Sequence, residues 1–340
     1  MQDSAHFMSA FLPGHEVREV QNKLEAFRLF AYVDQKLKFP ADRPSLPEMV
    51  RLAEALPPFQ RIFALEGVAH FYTSTAATET PMIHLLADPE LPDNAMVPLH
   101  SGMGTTLASA ALARLGDSPS PADLRKALED FFELCHDNSR EGWYINSIEA
   151  MGLAVRTLYP HLRMQVSEEM GEIDEAAQPL FWHGVGRALY FVPMNFITFG
   201  GSHERALRAA FEEAPTLEDR HNTVAGLAWA LTLVNIQHPI ILETFLHMCR
   251  GTGLSAALSN GVVSALMVWR HMVPEGQEIL APYLSSSTKV ASPALWNDVV
   301  AMPAAHAFAE IFPALTRPYE IGQPTIANLF EYQDMRVSQA

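Results

Sequence analysis

Polar residues recur in pairs at one fixed offset from a glycine, and they are the side chains in this sequence best suited to chemistry. In each pair one residue directly precedes the glycine and the other follows it by three positions, so the two lie four apart on one helix face. The pairs are Glu66 with His70, Ser101 with Thr105, His183 with Arg187, and Asn260 with Ser264. On an otherwise apolar helix such side chains must be hydrogen-bonded or face a cavity.

Three histidines and one glutamate on or near these faces are candidates for catalysis. His183 or His70 would transfer protons, because the imidazole titrates near neutral pH. His100 lies within one turn of the same face and is a third catalytic candidate. Glu66 would orient a histidine or act as a base when it is desolvated. We hypothesise that these residues line one shared concavity.

Candidates for substrate binding lie along the same faces. Arg187 would hold a carboxylate, an enolate or a phosphate. Glu149 would orient a histidine or act as a base, and Glu141, which heads the segment REGWYINS, is a further binding candidate. Aromatic side chains would form a wall for an extended apolar or conjugated ligand. The aromatic candidates are Trp182, Tyr190 and Trp229.

Both patterns have a structural interpretation as well. The polar pairs would then satisfy one another between neighbouring helices and set the register of packing. The aromatic side chains would form the core between helix pairs. The two interpretations differ in one observable, because a small-molecule site needs the polar pairs to converge on an enclosed cavity.

Metal and nucleotide motifs are weak in this sequence. Residues 133–136 contain one Glu-x-x-His, whereas a carboxylate-bridged di-iron bundle needs two such motifs and two further carboxylates. There is no His-Glu-x-x-His and no phosphate loop with Gly-Lys-Ser/Thr. Residues 184–186 lack the third glycine of the dinucleotide fingerprint. We therefore expect no metal site and no cofactor.

The glycine-containing segments recur about every 39 residues, which is the spacing of two-helix repeats. Between them lie amphipathic segments at 121–135, 161–173, 203–214 and 239–250, and two more helices are predicted at 14–39 and 47–56. No run of alternating β-branched residues indicates a sheet. The pattern predicts an all-α protein of stacked helix pairs, arranged as an α-solenoid or as an α/α-toroid, in which glycines let inner helices press backbone to backbone.

Three regions are predicted from this pattern. Residues 1–59 would be an N-terminal helical extension, residues 60–285 the helical repeat domain, and residues 286–340 a C-terminal helical cap and tail. The pattern weakens after residue 285, where Pro293 and Pro303 occur.

Composition narrows the class of partner. The 340 residues carry a net charge of −16, which disfavours binding to a nucleic-acid backbone. Two cysteines are too few for a disulfide framework and fit a reducing cytoplasm. No signal peptide and no uncharged apolar run of roughly 20 residues is present, so we expect a cytoplasmic protein without a membrane span.

Five segments resemble, in order, parts of an uncharacterised bacterial family often encoded beside enediyne polyketide gene clusters. They read FALEGVAHFY, VPLHSGMGTTLA, FWHGVGRALYFV, VAGLAWAL and LSNGVVSALM and together span roughly residues 60–272. The match is sharpest at residues 100–104 and 184–191, and the chain departs from the family at 140–147. The resemblance implies a role in bacterial secondary metabolism, without a mechanism.

Three functional hypotheses follow. The first is a protein that binds or transforms an apolar or polyketide-like small molecule, using the inner polar face. The second is a helical-repeat scaffold that docks other biosynthetic proteins on its concave surface. The third is a structural member of a biosynthetic complex.

Overall fold

The computed structural model describes residues 14–39, 44–76, 84–116, 118–198, 201–289, 291–317, 319–321 and 323–330. Within these ranges the chain is predominantly helical and contains no β-strand, which confirms the predicted all-α class. The helices that precede residue 200 are α1 (Gly14–Ala31), α2 (Val33–Leu37), α3 (Leu46–Glu54), α4 (Pro58–Ala76), α5 (Met96–Ala113), α6 (Pro121–Asn138), α7 (Ile145–Leu158), α8 (Arg163–Ile173), α9 (Ala177–Phe191) and α10 (Pro193–Phe196).

Further helices follow residue 200. They are α11 (Ser202–Glu213), α12 (Leu217–Val234), α13 (Pro239–Met248), α14 (Ser255–Met272), α15 (Ala281–Leu284) and α16 (Pro293–Leu315). Helix α16 contains π-helical turns at Asn297–Ala301 and Ala307–Ile311. Short 3₁₀ helices lie at Asp93–Ala95, Pro160–Leu162, Gln277–Leu280 and Ile326–Phe330.

The glycine-bearing helices α4, α5, α7, α9, α12 and α14 form an inner layer and pack on one another in chain order. Their glycines lie where two backbones meet. A Cβ on Gly102 would collide with the main-chain carbonyl oxygen of Glu66, and a Cβ on Gly184 would collide with that of Glu149. The predicted backbone-to-backbone packing at these glycines is therefore confirmed.

The helices between them are amphipathic and lie outside. Helix α6 begins as predicted, with Pro121 in its first turn and the Ser120 hydroxyl accepting a hydrogen bond from the Asp123 amide, but it ends at Asn138 instead of residue 135. Helices α8, α11 and α13 lie within two residues of the predicted segments at both ends. A buried apolar stripe opposite a polar face accounts for this agreement.

The prediction of one continuous helix over residues 14–39 is wrong. The backbone of Tyr32 leaves the helical region, with φ −134° and ψ 38°, and separates α1 from the short helix α2. Helix α1 packs on α4, where a Cβ on Gly67 would collide with the carbonyl oxygen of Leu29, and it also contacts α12 and α13. The N-terminal helix thus forms part of the wall around the interior.

The end of the inner series meets its beginning. Arg61 of α4 forms an ion pair with Glu275, which follows α14, at 2.6 Å. The side chain of Asn94, just before α5, donates to the carbonyl oxygen of Met272 at 3.3 Å. The six inner helices therefore surround a common interior.

Helix α16 (Pro293–Leu315) is, among the described helices, the one that is long and apolar enough to cross a membrane, with a mean hydropathy of 1.2. In the folded protein, 39% of the most apolar 18-residue stretch of this helix is buried. Asp298 and Glu310 lie on the exposed side of the helix. Core helices of globular proteins also have this length and composition. The expected absence of a membrane span stays a prediction.

Candidate functional site

A cavity of about 610 Å³ lies between helix α1 and the six inner helices. Its wall is almost entirely apolar, and helices α4, α5, α7, α9, α12 and α14 all contribute to it. The aromatic lining consists of Phe27, Phe30, Phe63, Phe191, Phe196, Trp229 and Phe330. The volume and the apolar lining are typical of a pocket for a small organic molecule.

A network of charged side chains lies at one part of this wall. Arg187 Nη1 donates to Glu149 Oε2 at 2.6 Å, and Arg187 Nη2 donates to Glu66 Oε1 at 3.3 Å. The Ser101 hydroxyl donates to the same Glu66 oxygen at 2.8 Å and accepts from Arg187 Nη1 at 3.2 Å. One guanidinium therefore joins α9 to α4, α5 and α7.

Helix geometry explains why these side chains meet. Arg187 follows the close-packed Gly184 by three positions, and Glu66 and Ser101 each directly precede the glycine of their own helix. Because the glycines bring the backbones into contact, the side chains beside them reach one another across helix boundaries.

The neighbouring charges shift the pKa values of Glu149 and Arg187 in opposite directions. Burial works to raise the pKa of Glu149, but Arg187 and His183 outweigh it and hold this pKa below its ordinary value. Burial works to lower the pKa of Arg187, but Glu149 and Glu66 raise it. The guanidinium thus faces two carboxyl groups, and the formal charges of Arg187, Glu149 and Glu66 sum to −1.

His183 forms a dyad with Glu149. Its Nδ1 lies 2.9 Å from Glu149 Oε1, and both side chains are fully buried. Burial lowers the pKa of His183, although Glu149 opposes this effect. Because the neutral ring faces a carboxylate, its hydrogen must be on Nδ1, and Nε2 is a bare acceptor. Among the described residues, no donor lies within hydrogen-bonding distance of Nε2.

Two aromatic rings cover the network. The guanidinium of Arg187 lies 4.7 Å above the Trp229 ring. Phe330, from the 3₁₀ helix Ile326–Phe330, packs edge-to-face on His183 with centroids 5.1 Å apart and also contacts Trp229 at 5.4 Å. Phe330 lines the cavity, whereas His183 lies behind it. The C-terminal 3₁₀ helix therefore separates the histidine from the cavity.

The structure brings together half of the predicted site residues. Glu66, Arg187 and Trp229 line the cavity, and Glu149 and His183 lie directly behind them. The sequence interpretation expected all four catalytic candidates at the shared concavity. His70 and His100 are not part of its lining.

His70 and His100 have other roles. His70 stacks on Phe30 with centroids 4.8 Å apart, and its Nδ1 lies 2.8 Å from the Thr106 hydroxyl. His100 is fully buried, and both of its ring nitrogens form hydrogen bonds with the backbone. Nδ1 lies 2.8 Å from the Met96 carbonyl oxygen, and Nε2 accepts from the Arg140 amide at 3.1 Å. Burial lowers the pKa of His100 to about 3, so it stays neutral and holds the loop at Arg140 in place.

Glu141, Trp182 and Tyr190 also lie away from the cavity. Glu141 is exposed in a turn, and Trp182 is buried against Phe181. Neither contacts the charged network, so their expected roles in substrate binding have no support in the geometry. Tyr190 belongs to a separate buried cluster.

That cluster, the α1 clasp, consists of Glu19, Lys23, Tyr190, His203 and Asn235. Glu19 accepts from Tyr190 at 2.9 Å, from His203 at 2.9 Å and from Lys23 at 3.1 Å. Asn235 donates to the Tyr190 hydroxyl at 2.7 Å. Burial favours the neutral form of Glu19, but these partners outweigh it and lower its pKa to about 2. The clasp fastens α1 to α9, α11 and α12.

Sequence reasoning missed three residues of the cavity wall, Phe27, Phe30 and Phe330. Phe27 and Phe30 follow the helical period of α1, and that period was the available signal for an apolar face. Phe330 lies beyond the repeats, in a segment without periodicity, and nothing in the sequence indicated its position.

The described residues contain no group of three or more His, Cys, Asp or Glu side chains arranged to hold a metal ion. No protein-family model matches this chain, and neither a curated protein nor a solved structure matches it.

Proposed function

We propose that this protein binds an uncharged, mostly apolar small molecule in the cavity, with a hydroxyl group of the ligand directed at Glu66. The observation that carries the proposal is the convergence of Glu66, Ser101 and Arg187 on one apolar cavity. The resemblance to the enediyne-associated family makes a conjugated product or intermediate of bacterial secondary metabolism the ligand class that we propose.

The charge of the network favours a hydrogen-bond donor as the polar group of the ligand. Arg187 already binds two carboxylates, so a ligand carboxylate or phosphate would add a second net negative charge to the site. Glu66 Oε1 accepts two hydrogen bonds, whereas Oε2 accepts none from the described residues. This replaces the sequence-based expectation that Arg187 holds an anion.

Competition with a neutral dye tests this preference. Nile red, an uncharged apolar dye, is titrated into the protein, and decanol and decanoate are compared as competitors of equal chain length. We expect decanol to displace the dye at a concentration at least about tenfold lower than decanoate needs. Equal or stronger competition by decanoate would contradict the proposed charge preference.

Variants of the cavity wall test whether the dye binds in this cavity. Leu153→Trp places a large ring in the cavity wall and should weaken dye binding by about tenfold or more, whereas Leu158→Trp, on an exposed position of the same helix, should leave it unchanged. Glu66→Gln removes the net negative charge and should reduce the difference between decanol and decanoate.

The scaffold hypothesis makes the opposite prediction. A protein that only docks partners would show neither saturable dye binding nor sensitivity to Leu153→Trp. Native mass spectrometry of the purified protein adds an independent readout, because a resident ligand would appear as a mass shift that Leu153→Trp abolishes and Leu158→Trp retains.

A further inference from the structure

Three buried polar atoms beside the cavity have no hydrogen-bond partner in the described part of the chain. They are the acceptor Nε2 of His183 and the donors Nε of Arg187 and Nε1 of Trp229. Leaving a buried polar group without a partner destabilises a folded protein, so three such groups around the Trp229 ring call for an explanation. The binding function proposed above does not use them.

The three atoms have complementary chemistry. His183 Nε2 is a base whose ring is oriented by Glu149 through Nδ1. The N–H groups of Arg187 and Trp229 can donate to a developing oxyanion, and they belong to side chains that line the cavity. A base beside two unused donors is the arrangement that abstraction of a proton next to a carbonyl requires.

We propose that the protein catalyses proton transfer on an enolisable ketone bound in this cavity, with His183 as the base and with Trp229 and Arg187 as the donors to the carbonyl oxygen. The proposal rests on the proposed binding function and adds a reaction to it. The ligand is then an uncharged, mostly apolar ketone that also carries the hydroxyl group directed at Glu66.

The step is balanced without any co-reactant. His183 Nε2 takes the proton from the carbon next to the carbonyl, the electron pair of that C–H bond forms the new C=C bond, and the carbonyl π pair moves to oxygen. The enolate oxygen accepts from Trp229 Nε1 and Arg187 Nε. The imidazolium exchanges its Nε2 proton with solvent and then returns a proton to carbon, either at the same atom or at the far end of a conjugated system, which shifts a double bond.

Phe330 controls access to the base. Its ring lies on His183 and at the same time forms part of the cavity wall. A ketone that reaches Nε2 must therefore displace this ring, and the polar atoms behind it are kept from bulk water until it does.

Deuterium exchange provides the test. The full chain is incubated in D₂O with 2-decanone, and incorporation of deuterium beside the carbonyl is followed by NMR. We expect exchange well above the buffer rate in the wild type. His183→Gln should return it to the buffer rate, and Trp229→Phe, which keeps a ring but loses the N–H, should slow it by about 100-fold.

A neighbouring tryptophan provides the matched control. Trp182→Phe changes the same residue type one position from His183, outside the cavity lining, and should leave the exchange rate unchanged. Circular dichroism establishes that each variant is folded. A fully folded His183→Gln with wild-type exchange would overturn the proposal.

Dye displacement and deuterium exchange together distinguish failure of the catalytic proposal from failure of the binding proposal. If 2-decanone displaces Nile red but shows no exchange above buffer, the catalytic proposal is overturned and the binding function stands. If the ketone does not displace the dye while decanol does, the ketone class is overturned. If neither competes, both proposals fail.

The pH profile gives a readout that a structural role would not produce. The charged groups facing His183 are Glu149 and Arg187, while Trp229 and Phe330 are uncharged. Burial lowers the pKa of His183 below its ordinary value of 6.5. The ring therefore stays neutral, and can act as a base, at pH values somewhat below 6.5. Exchange catalysed by His183 should therefore persist as the pH falls through 6.5, and a rate that halves at this pH would contradict the assignment.

Discussion

Glu149 is the residue on which the charged network most depends, because it accepts from Arg187 and from His183 at once. Replacing it with Gln would leave a buried guanidinium with Glu66 as its remaining ion-pair partner. Breaking a buried pair in this way costs about 3–5 kcal/mol. We expect Glu149→Gln to lower the free energy of unfolding by this amount, measured by urea denaturation.

The matched control is Glu172→Gln. Glu172 forms an ion pair with Arg125 at 2.8 Å, but its side chain is 67% exposed. Exposed pairs contribute little to stability because water screens them, so this variant should be nearly as stable as the wild type. Equal losses in the two variants would mean that burial does not distinguish the two pairs.

Glu19 gives a second prediction at this scale, for the dependence of stability on pH. Its pKa is about 2 in the folded protein and 4.5 in its ordinary state, so the unfolded chain binds the proton first as the pH falls. The stabilisation is complete above about pH 4.5 and is lost towards pH 2, in an amount of roughly 3 kcal/mol.

Comparison with Glu19→Gln isolates this contribution from that of the other carboxylates. Between about pH 5 and pH 3 the free energy of unfolding of the wild type should fall more steeply than that of the variant. Parallel curves would show that Glu19 has the same pKa in both states.

For some residues the sequence could predict a place in a buried polar cluster, and for others it could not. Glu66, His183 and Arg187 could be selected because a local rule, an offset of four across a glycine, brings them to one face. Glu19 and Lys23 also lie four apart, but the partners that give them a role, Tyr190 and His203, are 171 and 184 positions from Glu19. Local spacing carries no information about such contacts.

At the scale of elements, the glycines of the inner helices determine how closely the helices approach. We expect Gly184→Ala to destabilise the protein by about 3 kcal/mol or more, because its Cβ would collide with the Glu149 carbonyl oxygen and neither backbone can yield easily. Thermal unfolding followed by circular dichroism measures the change.

Gly116→Ala serves as the control for this substitution. A Cβ at Gly116 has no neighbour within 4 Å, and the backbone there needs no positive φ. The variant should melt within a few degrees of the wild type. A similar loss of stability in both variants would contradict the close-packing account of the inner glycines.

Most elements could be predicted from the sequence because their signals are local. Ser120 and Pro121 mark the start of α6, and a capping box of Ser45 and Glu48 begins α3. The break at Tyr32 and the 3₁₀ helix that carries Phe330 could not be predicted, because both depend on packing against elements far away in the chain.

At the scale of the whole molecule, one cluster of buried apolar side chains extends from Ala26 to Phe330. It includes residues from the N-terminal extension, the repeats and the C-terminal segment as these were delimited from the sequence. We therefore expect a single calorimetric transition, with equal calorimetric and van't Hoff enthalpies. A separate early transition that Glu19→Gln alone shifts would indicate that α1 unfolds independently.

The arrangement of the inner helices could be predicted only in part. The order of packing follows the chain, but the meeting of the last helix with the first depends on the rotation between successive helices, which no sequence pattern records. The contacts that bring the ends together, from Arg61 to Glu275 and from Asn94 to Met272, join residues without a common motif.

The glycine contacts restrict how this chain can change in length. Each inner helix places a glycine against a main-chain carbonyl oxygen of a helix packed beside it, as Gly226 does against His183. One residue inserted inside such a helix would turn everything beyond it by about 100° and remove both the contact and the polar side chain beside it. Insertions between helices leave every such contact intact, so relatives and engineered variants should differ in length at the turns and agree within the inner helices.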